Sequence, residues 1–546
     1  MTVFKRAWPS WAIFGLLLGV EILTHYPLLK LPYFWDEAGY YIPAARDLWQ
    51  TGSLIPLSAP SNAHPPLVMA YLALWWRTAG TSPIVTRTAM LAVSAFALLG
   101  LLKLATRVAN QQVAWAAVVC TAAYPAFFAQ SSMANVDLAA AALTFWAMDA
   151  FISDKAIVTA IWFSLAVLTK ETAVIAPGAL AVWSLLCPII SRQRRERICC
   201  GKLRGAMFAA LAAPLAVLSC WYAYHFSKTG YVFGNPEFFR YNVQATMSPL
   251  RIALALGMRI WQAFGYLHLF VLTALTGCLM TAAPVRDDGV ERPRIAIAAQ
   301  CLFAAVAVAY ITAMAVIGGA VLARYMLPVV PLVILVCVST LWRRSRYWAA
   351  LVGGVAVAFT GGLVMNPPYG FALEDNLAYR DYIRMHQHAA LYLEAHPPRS
   401  RVLTAWPASD ELTRPYLGYV TRPFPVVRVE DFSAEQLVNA SQLQSQYDAA
   451  FLFSTKYEPR HSLLAGWSWW RNVKEHYFGY HEDVDPESAA RALGGRIVFH
   501  ERCAGQWVAV IRFEQHEETM DGKSDSGRHE MARMRLDYQP NFFPGN

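Results

Sequence analysis

The chain has 546 residues, 56% of them hydrophobic and 15% charged, with a formal net charge of +9. A soluble domain carries roughly 25% charged residues, so this composition excludes an ordinary water-soluble globule and points to a polytopic membrane protein. The positive excess sits in short clusters between apolar segments, where it orients a membrane protein, and does not suggest a nucleic-acid partner.

Lys5-Arg6 precede an apolar run with no convincing small-residue cleavage site, so the run reads as an uncleaved first helix. A helical span needs about 20 apolar residues, because lipid offers no partner to backbone N–H and C=O groups. Spans are expected at 11–29, 84–105, 112–130, 135–152, 156–169, 172–190, 205–225, 261–283, 295–318, 320–341 and 347–365, about eleven in all, with 156–169 short and tilted or only partly crossing. Trp8, Trp11, Trp75, Trp76, Trp342 and Trp348 cluster near their ends, as an interfacial belt would. With a cytoplasmic N-terminus, the inside connections hold Lys5, Arg6, Arg107, Lys155, Arg192, Arg194, Arg195, Arg197, Lys202 and Arg204. They also hold Arg286, Arg292, Arg294, Arg343, Arg344 and Arg346, so every dense basic cluster falls on one side.

Two connections on the other side are long: 30–83, and the aromatic-rich 226–260. An odd number of spans puts the polar region after 365 outside as well. There, Asn376–Ala395 reads as an amphipathic helix. Arg401–Ala405, Val426–Val429, Ala449–Phe453, Arg496–Phe499 and Trp507–Phe513 read as short strands. The expected organisation is a transmembrane part over 1–365, an outer (periplasmic) α/β domain over 366–514 and a disordered tail over 515–546. The nine cysteines show no zinc spacing, and Cys503 alone falls in the C-terminal part, so no disulfide staples that part internally.

Charges at the membrane surface are costly and often functional. Here they converge on the outer ends of the spans: Asp36-Glu37 after the first, His64 in the same loop, and Arg87 opening the second. Asp137 opens the fourth, Lys170-Glu171 caps a hairpin, and Arg324-Tyr325 opens the tenth. Carboxylates and cations at one interface suit a reaction with an anionic, membrane-anchored phosphate.

Four segments in order carry a resemblance: Phe34-Trp35-Asp36-Glu37-Ala38-Gly39-Tyr40-Tyr41, Ala63-His64-Pro65-Pro66-Leu67, Leu168-Thr169-Lys170-Glu171-Thr172 and Ala323-Arg324-Tyr325-Met326-Leu327-Pro328. Over residues 10–365 the chain resembles the protein O-mannosyltransferase and aminoarabinose (lipid A) transferase superfamily of GT-C glycosyltransferases. The resemblance implies a sugar donor on a polyprenyl phosphate, transfer on the outer face and an inverting displacement. It makes Asp36 the general base, with Glu37 beside it in the catalytic loop, orienting the loop or Asp36 rather than reacting itself. Asp137 and His64 become acceptor or sugar contacts. Lys170, Arg324, Tyr325 and Arg87 become contacts to the lipid phosphate.

Each residue also has a plainer reading: a hydrated loop acid for Asp36, a helix cap for Asp137, interfacial snorkelling for Lys170 and Arg324, a structural role for His64, and an anchor of the second span for Arg87. Asp36, Glu37, Asp137 and His64 could hold an ion, as carboxylates do in the related oligosaccharyltransferases. The loop signature instead resembles the metal-independent branch, so no cofactor is expected beyond the lipid-linked sugar as co-substrate. The expected partners are the bilayer, that donor, and a glycan, lipid or protein acceptor, in a bacterial inner membrane. A transporter or flippase of a lipid-linked substrate is the competing reading. Against it, the charges crowd one face rather than lining a midplane path.

Overall fold

The computed structural model describes residues 8–194, 205–234, 236, 240, 246–457, 459 and 467–513. Lys5-Arg6, the basic cluster from Arg195 to Arg204 and the tail over 515–546 lie outside the described residues.

Helix is present in each of the eleven apolar segments. Among the described residues, four helices are long and apolar enough to cross a membrane: Ser10–Leu28, Pro83–Val108, Gly205–Thr229 and Ile297–Val316. Two bent pairs raise that number to six if each is a single span. One is Gln111–Ala123 with Pro125–Ser131, bent by 72°. Its cause is Pro125, which excludes the preceding residue from helical backbone, and Tyr124 is indeed extended. The other is Pro249–Phe264 with Leu269–Leu279, bent by 75° where Leu267 and His268 take positive φ. The segment expected as one helix over 261–283 is therefore two, because its hydropathy window straddles a turn. The helix Pro83–Val108 is central and packs against Ser10–His25, Gln111–Ala123 and Val136–Ile152.

The connection over 30–83 is itself folded. It carries a π-type turn Glu37–Tyr41 that runs into the helix Ile42–Thr51, and then the helix Leu67–Ala79. The C-terminal region forms one mixed sheet of β1 (Val402–Ala405), β2 (Val426–Val429), β3 (Ala449–Phe453), β4 (Arg496–Cys503) and β5 (Gln506–Arg512), in the order β2-β1-β3-β5-β4. β1 runs parallel to β2 and β3, and β5 antiparallel to β3 and β4. The inner strands β1 and β3 are buried along their whole length and are apolar except for Thr404, whose hydroxyl donates to Phe451 O at 2.8 Å. The helix Ala378–Ala395 packs on β4 and β5.

The apolar core of the sheet is continuous with the first connection, joining Leu31, Tyr33, Phe34 and Tyr41 to Tyr379, Tyr382, Leu403 and Phe453. Tyr419 Oη donates to Tyr33 O at 3.0 Å, and Trp406 lies so close to Gly39 that a Cβ there would meet its indole at 2.7 Å. Glycine is thus required at 39. The sheet region is seated on the segment that carries Asp36.

Candidate active site

Trp35 takes a φ of 44° just before the π-type turn. Asp36 and Glu37 follow, and their side chains part company. Glu37 is fully buried: one carboxylate oxygen accepts from Phe34 N at 2.9 Å, the other from Ala134 N at 2.7 Å. It thereby ties the Asp36 loop to the turn that opens the helix Val136–Ile152. Arg87, also fully buried, donates to Leu31 O at 3.0 Å, to Ser132 O at 3.1 Å and to Pro32 O, and lies 3.4 Å from Glu37. The expectation that Arg87 contacts a lipid phosphate is corrected on this point. Its donors are spent on backbone carbonyls, and it does not line the cavity described next.

A cavity of about 1800 Å³ lies between the helical part and the sheet region. Asp36, His64, Lys170, Arg324 and Tyr325 all line it, brought together from four separate segments. Its walls include Met258, Trp261, Met314, Ile317 and Leu322, apolar surface suited to a lipid chain, and on the far side Trp406, Tyr457 and Trp470.

Arg324 is the hub of the charged wall. It sits in a 3-10 turn, Ala323–Met326, with its side chain 3% exposed. Nη2 donates to Asp36, Nη1 donates to Glu374 at 2.7 Å, and Nε lies 3.3 Å from Asp137. Lys170 Nζ donates to the other oxygen of Asp137 at 2.6 Å and lies 3.9 Å from the centre of the Tyr325 ring. Asp137 is 4% exposed and lies behind the two cations rather than on the cavity wall. It holds Lys170 and Arg324 in place, so an acceptor contact would reach it only through them. Asp36, at 23%, is the most open of the three carboxylates around Arg324. His64 faces Glu171 across 2.8 Å on another part of the wall.

Three contributors lay outside the sequence expectation. Glu374 and Asp375 follow the last apolar helix in a short turn, Leu373–Asp375. Burial raises the carboxyl of Glu374 to about 8. It raises Asp375, which accepts from Tyr266 Oη at 2.6 Å, to about 7. The signal was present: Leu373-Glu374-Asp375 is an acidic pair directly after a span, placed like Trp35-Asp36-Glu37. The third is Arg259. With Arg251 and Gln262 it faces inward from the helix Pro249–Phe264 at spacings of eight and three, one side of a helix. Arg251 donates to Gly318 O and Gly319 O, Arg259 to Met314 O and Leu322 O, and Gln262 to Val321 O. This face clamps the loop that leads into Arg324.

No protein-family model matches the sequence, and no curated protein matches it. Solved structures do match. The crystal structure of ArnT from Cupriavidus metallidurans bound to undecaprenyl phosphate aligns with a TM-score of 0.54 at 13% identity, over 92% of this chain and 98% of that one. The apo state of the same protein aligns with a TM-score of 0.52, again at 13% identity and the same coverage. The likeness shows a shared fold along nearly the whole length of both chains, and it agrees with the GT-C resemblance carried by the four sequence segments.

Proposed function

We propose that the chain is an inverting glycosyltransferase that moves a sugar from a polyprenyl-phosphate donor to an acceptor hydroxyl on the outer face of a bacterial inner membrane. The observation that carries this reading is the convergence of Asp36, Lys170, Arg324 and Tyr325 on one wall of a lipid-sized cavity. Its support is the fold shared with ArnT, whose structure holds undecaprenyl phosphate.

In this reading the lipid tail lies along the apolar wall and the phosphate meets Lys170 and Arg324, with the Tyr325 ring holding the ammonium of Lys170. The acceptor hydroxyl passes its proton to Asp36 as its oxygen bonds to the anomeric carbon. The bond from that carbon to the phosphate oxygen breaks, and the electron pair leaves with the polyprenyl phosphate. A phosphate is already a good leaving group and needs no general acid. What the site supplies is positive charge in a water-poor pocket, where it acts strongly on the developing anion. Lys170 and Arg324 fill that role, so the account requires no divalent ion. Eleven spans, with the sheet region outside, complete the proposal.

Mass spectrometry of lipid-linked sugars and envelope glycans from cells with and without the gene tests it. Loss of the gene should accumulate one polyprenyl-phosphate sugar and remove one glycan modification. An unchanged pool and unchanged glycans would contradict it. A lipid-linked sugar stranded on the inner leaflet would favour a flippase instead.

A further inference from the structure

The charged wall poses an electrostatic problem for its own ligand. Asp36, Asp137 and Glu374 face two cations, Lys170 and Arg324, so the fully ionised cluster carries one surplus negative charge. Behind it, Asp375 and Arg259 are of opposite sign, and Glu37 is offset by Arg87. A lipid phosphate adds at least one further negative charge to this buried site. Like charges in low dielectric repel by several kcal/mol unless one is neutralised (roughly 4 kcal/mol for a pair at 4 Å and an effective dielectric of 20). A proton from solution relieves the conflict.

The geometry selects where that proton goes. Asp137 is held by both Lys170 and Arg324. Asp36 is the most exposed of the three and lines the cavity. Glu374 is 7% exposed and touches one cation through Oε2, while its buried Oε1 has no hydrogen-bond partner. The negative charges of Asp36, Asp375 and Asp137 all act on it, with Arg324 the cation that opposes them.

We propose that Glu374 is the positioning residue of Arg324 and takes up one proton when a lipid phosphate binds, so that Arg324 turns its Nη2 edge from Asp36 to the phosphate. Nη1 stays anchored on the neutral carboxyl, whose carbonyl oxygen still accepts, and Asp36 is released from the guanidinium to meet the acceptor hydroxyl. Donor binding thus arms the base. The inference rests on the donor reading above.

The sign follows from linkage. Burial raises the carboxyl of Glu374, to about 8, and a neighbouring phosphate anion raises it further. Below that value the proton is already present and affinity is flat. Above it, binding must take up a proton, and affinity falls with rising pH, in the limit by about tenfold per unit.

The test is calorimetric titration of the full-length protein in nanodiscs with undecaprenyl phosphate, between about pH 7 and 9.5, in two buffers of different ionisation enthalpy. The wild type should lose affinity above about pH 8 and take up a fraction of a proton that approaches one. Glu374→Gln should bind without that uptake, and Asp375→Asn should retain it. Wild type that binds without uptake, or Glu374→Gln with wild-type uptake, overturns the role of Glu374 alone. Wild type that binds no lipid phosphate at any pH overturns the donor reading and this inference with it. If Glu374→Gln fails to fold, uptake by the wild type and by Asp375→Asn still decides.

Discussion

Two consecutive carboxylates have opposite fates because the turn that holds them sends one inward and one to the cavity. Glu37 is buried against Arg87 and two backbone amides, whereas Asp36 meets the cavity. Removing one partner of a buried ion pair leaves the other charge without compensation, at about 3–5 kcal/mol. Glu37→Ala is therefore expected to lower the unfolding midpoint of the purified protein markedly, and Asp36→Asn to leave it near wild type. Equal midpoints for wild type and Glu37→Ala would contradict the holding role. At this scale the ordered motifs located Asp36, His64, Lys170, Arg324 and Tyr325, all of which reach the cavity. Neither motif order nor a family resemblance reports what a side chain touches. That is why Arg87 was assigned to phosphate when its guanidinium is consumed by Leu31, Pro32 and Ser132 carbonyls, and why Glu374, 50 residues from Arg324, was not joined to it.

The helix Pro249–Phe264 is the element that sequence resolved least. It carries exposed Leu250 and Ile260 away from the site, turns Met258 and Trp261 to the cavity, and presents the clamp of Arg251, Arg259 and Gln262 inward. A hydropathy average merges such a helix with the apolar stretch after it, so the expected boundary fell at 261, in the last turn of the helix. The strands were legible because alternation and unbroken apolar runs are local signals, and all five expected strands are present. Charge-assisted hydrogen bonds of the kind Arg259 makes contribute about 1.5–3 kcal/mol each. Arg259→Leu should free the loop over 317–322. Amide exchange there should quicken, and the apparent donor affinity should weaken by about tenfold or more, with turnover at saturating donor less affected. Unchanged exchange across the loop would remove the clamp from the account.

Across the whole molecule, the cavity has a helical floor and a roof from the sheet region, and one apolar core links that sheet to the loop bearing Asp36. Reading 1–365 and 366–514 as separate parts rests on hydropathy and periodicity, which are local signals. It missed their shared wall, since Trp406 against Gly39 and Glu374 against Arg324 are contacts between distant stretches of chain. The central claim is that Asp36 removes the acceptor proton while protein cations, not a metal, hold the leaving phosphate. The direct measurement is release of polyprenyl phosphate from a lipid-linked sugar by purified wild type and by Asp36→Asn, in EDTA, with lipid-phosphate binding recorded in parallel. The account predicts full wild-type turnover in EDTA, a loss of about 10²–10⁴-fold in Asp36→Asn, and binding retained in both. Near-normal turnover by Asp36→Asn, or wild-type activity lost in EDTA and restored by a divalent ion, would contradict it.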